Sequence, residues 1–213
     1  MSNKVSIYKD NRGLIGVVVQ IGKVGLTNGR GEIMIDEILK YNKSFVEDRE
    51  YNKYITNKYP NKKIAIVSCM DTRLVELLPS ALGIKNGDAK IIKNAGGIIS
   101  HPFGSAMRSL LIGIYELEVQ EILVIGHTDC GARCTNSRKM IDKMKARGIT
   151  QQNIDMVKYC GVDYDTWLGG FMDLDTSIKK SVELIRKHPL VPEDIKVFGL
   201  TIDSVTGELK RVD

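Results

Sequence analysis

IAIVSCMDTR, residues 64–73, runs from four apolar residues straight into a thiol, a carboxylate and a guanidinium, those of Cys69, Asp71 and Arg73. The opening Ile64-Ala65-Ile66-Val67 is β-branched and continuously apolar, the composition of a strand buried in a parallel sheet. The closing half places three groups that are costly to leave unpaired in a protein interior just where that strand should end. With a two-residue repeat, Cys69, Asp71 and Arg73 point to one side while Met70 and Thr72 face elsewhere, so the three groups can converge on one site.

Outward from this segment the pattern alternates. Short β-branched runs at 64–67, 89–93, 121–125 and 195–200 are separated by helical spacing through Met107, Leu110, Leu111, Ile114 and Leu117, and again through Ile178, Val182 and Ile185. Strands alternating with helices predict an α/β fold, a mainly parallel central β-sheet flanked by helices. Residues 137–148, rich in Lys, Arg and Met, predict an exposed amphipathic helix whose charges are solvated.

Residues 1–33 have a different character. Gly13, Gly16, Gly22, Gly25, Gly29 and Gly31 interrupt every possible helix, so this stretch is expected to be a poorly ordered N-terminal leader, with at most a strand at 15–19. From Met34 onward, Ile35, Ile38, Leu39, Phe45 and Val46 recur at helical spacing until Pro60. Met34 therefore reads as the functional start, with the folded domain at 34–213 and the residues before it dispensable. The helical segment at 35–59 is a candidate for reaching across to a partner.

Composition narrows the function. The 213 residues, 43% hydrophobic and 27% charged, suffice for one sizeable core. The net charge of +5 is scattered among acids with no basic run, which argues against nucleic acid as a partner. Four cysteines, Cys69, Cys130, Cys134 and Cys160, are too few for a disulfide scaffold, and reduced thiols are expected. The apolar run at 14–21 contains Gln20, leads into Gly-Lys and is too short to span a membrane, so a cytoplasmic protein with no membrane partner follows.

In open α/β sheets, sites gather at the carboxyl ends of strands. A second such end lies in ILVIGHTDCGA, where His127 and Cys130 follow the run ending at Ile125. Taken singly, a cysteine or a histidine at a strand end is usually a packing residue. Two thiolates and an imidazole together make a good inner shell for Zn²⁺, and three protein ligands leave one tetrahedral position free, as a catalytic site requires. Cys134, four residues after Cys130, offers a competing arrangement, a closed structural site with four ligands. That arrangement leaves Asp71 and Arg73 without a role.

Cys69-x-Asp71-x-Arg73 with His127-x-x-Cys130 resembles the zinc signature of the β-class carbonic anhydrases, and KNAGGIISHPFGSAMRSLL at 93–111 resembles the stretch between the two signatures in that family. The likeness runs from about Met34 to the C-terminus and is nearest to the compact prokaryotic, cab-type members. It implies one zinc ion per chain on Cys69, His127 and Cys130, Asp71 and Arg73 as a catalytic pair beside it, and reversible hydration of CO₂ to bicarbonate. It also implies a homodimer or higher homo-oligomer.

Physical logic supports the implied chemistry. Zinc lowers the pKa of bound water from 15.7 to roughly 7 and so supplies a hydroxide nucleophile at neutral pH. Asp71 can accept a hydrogen bond from it, and Arg73 keeps Asp71 ionised and aimed. Released by Arg73, Asp71 could instead occupy the fourth metal position, as some members of the family do. The glycines of NAGG, 94–97, suit either a close backbone approach to the pocket or a plain turn. A related enzyme class hydrolyses carbon disulfide or carbonyl sulfide on a similar metal site, and a noncatalytic zinc-dependent regulatory protein is a further alternative. Cys160 reads as a core or helix-end thiol, and His101 and His188 as loop residues able at most to relay protons. Trp167 and Phe171 read as a packing pair on one helix.

Overall fold

The computed structural model describes residues 4–9, 15–20 and 30–212. The chain divides into two units, Met1–Ile55 and Thr56–Asp213. In the first, β1 (Lys4–Lys9) and β2 (Ile15–Gln20) form an antiparallel pair with Lys4 opposite Gln20. Helix α1 (Arg30–Glu47) follows. The expectation for residues 1–33 lies in large part outside the described residues. Met34 falls about one turn inside α1 rather than at its start. The helical segment expected at 35–59 is interrupted after Glu47, because Arg49 adopts a left-handed φ of 55° that no α-helix continues through. A 3₁₀ turn, Glu50–Tyr54, takes over, and the Phe45 ring stacks on Tyr54 at 6.3 Å.

The second unit is built on β3 (Ile64–Cys69), followed in chain order by α2 (Leu74–Ala81), β4 (Ala89–Asn94), α3 (Ser105–Leu117) and β5 (Glu121–His127). Next come α4 (Ser137–Ala146), α5 (Gln151–Tyr159), α6 (Tyr164–Leu168) and α7 (Leu174–Arg186), and finally β6 (Lys196–Ile202) and β7 (Leu209–Arg211). The five strands lie in the order β4-β3-β5-β6-β7, parallel except for the antiparallel edge made by β7. The predicted α/β architecture is the observed one.

Burial explains the strand sequences. Central β3 is covered on both faces and is apolar nearly throughout, whereas edge strand β4 alternates half-buried and exposed positions. One face of the sheet packs Ala65, Val67, Ile122 and Val124 against α3 and α7, through Met107, Leu110, Ile178, Val182 and Ile185. The other packs Ile66, Ile125 and Ile202 against Leu74 and Leu78 of α2. Helices on both faces make three layers.

Connectivity then sets the place of the site. From β3 the chain crosses through α2 to β4 on one side, and from β4 it returns through α3 to β5 on the other side of β3. The carboxyl ends of β3 and β5 therefore flank a topological switch point, where crevices form in open α/β sheets. Register finishes the placement: Ser68 of β3 pairs with Ile125 of β5, so Cys69 and His127 emerge side by side.

Candidate metal centre

Cys69 closes β3, His127 closes β5, and Cys130 follows in the loop after β5. One ligand atom from each lies within 4.8 Å of the other two, and all three residues are buried. The two sulfurs are 3.8 Å apart. Nδ1 of His127 lies 2.7 Å from the Thr128 carbonyl, which can only accept, so Nδ1 carries the proton and the Nε2 lone pair is left free. That Nε2 is buried without a hydrogen-bond partner. Burial pushes the Cys130 thiol up, and neighbouring Cys69 adds to the effect. A bound cation answers both features at once: it accepts the orphaned lone pair and offsets the charge of two adjacent thiolates.

Cys134 is exposed and is not in this group, so the arrangement with Cys134 as a fourth ligand has no support in the structure. Cys160, also exposed, caps α5 as a helix-end thiol.

Asp71 and Arg73 stand beside the cluster. The strand repeat expected to aim them does not reach that far, because β3 stops at Cys69 and the chain turns into α2. Asp71 Oδ1 accepts from the Arg73 main-chain N–H at 2.9 Å, an Asx-type turn, and from Arg73 Nε at 3.0 Å, while Oδ2 accepts from Arg73 Nη2 at 2.9 Å. These bonds hold the Asp71 carboxyl well below the usual carboxylate range. Its Oδ2 is 3.8 Å from His127 Nε2, at the edge of the ligand group.

Three further residues sit in the same network without any signal in the sequence pattern. Arg73 Nη1 donates to Asp129 Oδ2 at 2.8 Å and Nη2 to the Asp129 carbonyl at 2.9 Å. Lys93 Nζ donates to the carbonyls of Leu74 and Cys69 at 3.3 and 3.5 Å, bracing the turn that carries Asp71. Thr128 Oγ1 accepts from Ser204 N–H at 3.0 Å and anchors the His127 loop to the β6–β7 turn. All three contacts join segments far apart in the chain.

Of the two readings of NAGG, the close approach is the observed one. A Cβ on Gly97, whose φ is +65°, would sit 2.7 Å from the Cys69 nitrogen. A cavity of about 1110 Å³ borders the cluster at Cys69, lined also by Asp71 and by apolar groups including Ile98, Ala132, Trp167 and Phe171. Phe171 does not share a helix with Trp167, as its spacing suggested. Helix α6 ends at Leu168, and Gly169 and Gly170 follow, where added Cβ atoms would overlap the Asp165 and Ala132 carbonyl oxygens. His101 and His188 lie in loops as expected. His101 borders the cavity, while His188 is buried, its Nε2 donating to the Pro102 carbonyl and its Nδ1 accepting from Leu190 N–H.

Comparison with known proteins bears on this site directly. The carbonic anhydrase family model matches residues 64–209, from the first residue of β3 to the first of β7. The chain belongs to the β-carbonic anhydrase family. The chain is 54% identical over 179 residues to YtiB of Bacillus subtilis (strain 168), provisionally named a carbonic anhydrase, covering 84% of this chain and 96% of the relative. The β-carbonic anhydrase isoform I of Trichomonas vaginalis superposes with a TM-score of 0.75 at 38% identity, over 84% of this chain and 96% of that one. A carbon disulfide hydrolase of Acidithiobacillus thiooxidans is 30% identical over 159 residues, covering 70% of this chain and 77% of the relative.

Proposed function

We propose that this chain catalyses reversible hydration of CO₂ to bicarbonate, with one zinc ion held by Cys69, His127 and Cys130. The observation that carries the reading is the buried Cys-His-Cys group with its unpartnered Nε2, bordered by an Asp71 carboxylate already engaged by Arg73. When bound, zinc supplies an acidified water as the nucleophile.

The protein's own residues do the rest. Asp71, kept ionised by Arg73, can only accept hydrogen bonds, so it orients a donor at the cluster with the oxygen lone pair directed away from itself. Apolar cavity walls favour an uncharged, nonpolar substrate over water. Thr128 fixes the His127 tautomer and ring orientation.

Metal analysis with stopped-flow CO₂ hydration tests the reading, and the expected result is one zinc per chain with turnover lost on zinc removal. Zinc without hydration would instead support a noncatalytic zinc-dependent regulator. A carbon disulfide or carbonyl sulfide hydrolase on the same site is the second enzymatic reading, favoured by the Acidithiobacillus relative. Offering CO₂ and CS₂ to the same preparation separates the two, and CO₂ is expected to be preferred because YtiB, provisionally named a carbonic anhydrase, is 54% identical to this chain whereas the carbon disulfide hydrolase is 30% identical.

A further inference from the structure

We propose that Asp129 is a positioning residue: through its carboxylate and its main-chain carbonyl it anchors the outer edge of the Arg73 guanidinium, and thereby keeps Asp71 turned away from the fourth side of the ligand group. The inference rests on the metal-ligand assignment above and deepens it.

A guanidinium has five N–H donors in a rigid planar fork. Arg73 spends its Nε and one Nη2 donor on Asp71, and its Nη1 and second Nη2 donor on Asp129. Asp71 and Arg73 belong to one turn at the end of β3, so their mutual bonds fix them to each other but not to the end of β5, which carries His127, or to the loop after it, which carries Cys130. Asp129 supplies that fixation, since it lies directly before Cys130 and presents two acceptors to the far side of the same guanidinium.

The backbone there is special. Asp129 has a φ of 53°, in the left-handed region that Asp and Asn tolerate better than other residues with a Cβ. Asp71 Oδ2 is 3.8 Å from His127 Nε2, so a small tilt of the Asp71–Arg73 pair toward the cluster is enough to offer this carboxylate to a metal there. Cutting the Asp129 side of the fork removes the restraint on that tilt. The Asp129 side chain is 85% exposed, so the effect is that of a single solvated, charge-assisted contact, about three- to fivefold.

The test uses the full chain loaded with Co²⁺ in place of zinc, as wild type, Asp129→Ala and Asp129→Asn. Azide, which needs an open metal position, is titrated against the visible cobalt spectrum. All three proteins should bind one cobalt. Asp129→Ala should bind azide about three- to fivefold more weakly, because Asp71 now competes for the position. Asp129→Asn keeps an acceptor oxygen and tolerates the left-handed backbone, so it should stay within about twofold of wild type. With CO₂ as substrate, kcat of the alanine variant should fall while KM holds. Azide affinity unchanged in Asp129→Ala, cobalt lost from it, or Asp129→Asn as weak as alanine would each overturn the proposal. A wild-type protein that binds cobalt and azide but does not hydrate CO₂ would overturn the proposed activity and leave the role of Asp129 standing.

Discussion

Asp71 has one carboxylate oxygen held by two donors of Arg73 and the other by a third, and it is this saturation that defines its chemistry. Replacement by Asn keeps the shape but turns one oxygen into a donor, which faces Arg73 or the reacting oxygen with the wrong polarity. Asp71→Asn should therefore retain zinc and lose roughly 100-fold or more in CO₂ turnover, the scale of a lost general acid–base group. Near-full activity measured by stopped flow would remove Asp71 from the mechanism. Cys134→Ser is the matched control: the thiol is exposed and outside the ligand group, so metal content and activity should both equal wild type. Residue chemistry was the part most open to sequence reading. Cys69, His127 and Cys130 differ from packing residues only as a set, and two short spacings disclose that set. Asp129, Lys93 and Thr128 were closed to it, because what they do depends on contacts across the chain with Arg73, with the β3–α2 turn and with Ser204.

At the scale of elements, the decisive pieces are the strand ends and the glycines that let them approach. Gly97 brings its backbone against the Cys69 nitrogen with a positive φ, so Gly97→Ala combines a left-handed strain with a backbone clash at 2.7 Å. The expected cost is roughly 2–4 kcal/mol, measured by denaturant unfolding, with zinc affinity falling as the Cys69 strand end is displaced. A variant as stable as wild type would show that this approach can relax. Strand existence was readable from β-branched runs, but strand ends were not: β3 gives way to an Asx-type turn at Asp71, and α6 stops at a glycine pair before Phe171. Helix α1 adds a different kind of test. Ile38 and Leu39, neighbours on α1, are both more than half exposed among the described residues. If the chain is a homo-oligomer that uses this helix, Ile38→Glu with Leu39→Glu should shift the sedimenting mass toward the monomer without changing the zinc content. An unchanged mass would assign the interface to other elements.

For the molecule as a whole, the site is a product of topology. Cys69 and Cys130 are 61 positions apart, and their sulfurs come within 3.8 Å because the chain reverses its winding between β3 and β5. The alternating pattern of strands and helices announced a parallel sheet, yet nothing in a hydrophobic period distinguishes the order β4-β3-β5 from its alternatives. Strand order was settled by long-range packing, with Ala65, Val67, Ile122 and Val124 sharing one buried layer. A site assembled from two strand ends and a loop should tie metal binding to global stability, since unfolding disperses all three ligands. Ligand linkage gives about 4 kcal/mol when free metal is 1,000 times its dissociation constant. For a chain of this size that corresponds to about 8–16 °C in Tm. Stripping zinc with a chelator should lower Tm by an amount in that range, and adding zinc back should restore it. His127→Ala, which removes the one unpartnered nitrogen of the group, should abolish the shift while leaving the sheet and both apolar layers in place. A Tm indifferent to zinc in the wild-type protein would mean that the three buried ligands hold no metal, and that the thiols and imidazole meet at the switch point for packing alone.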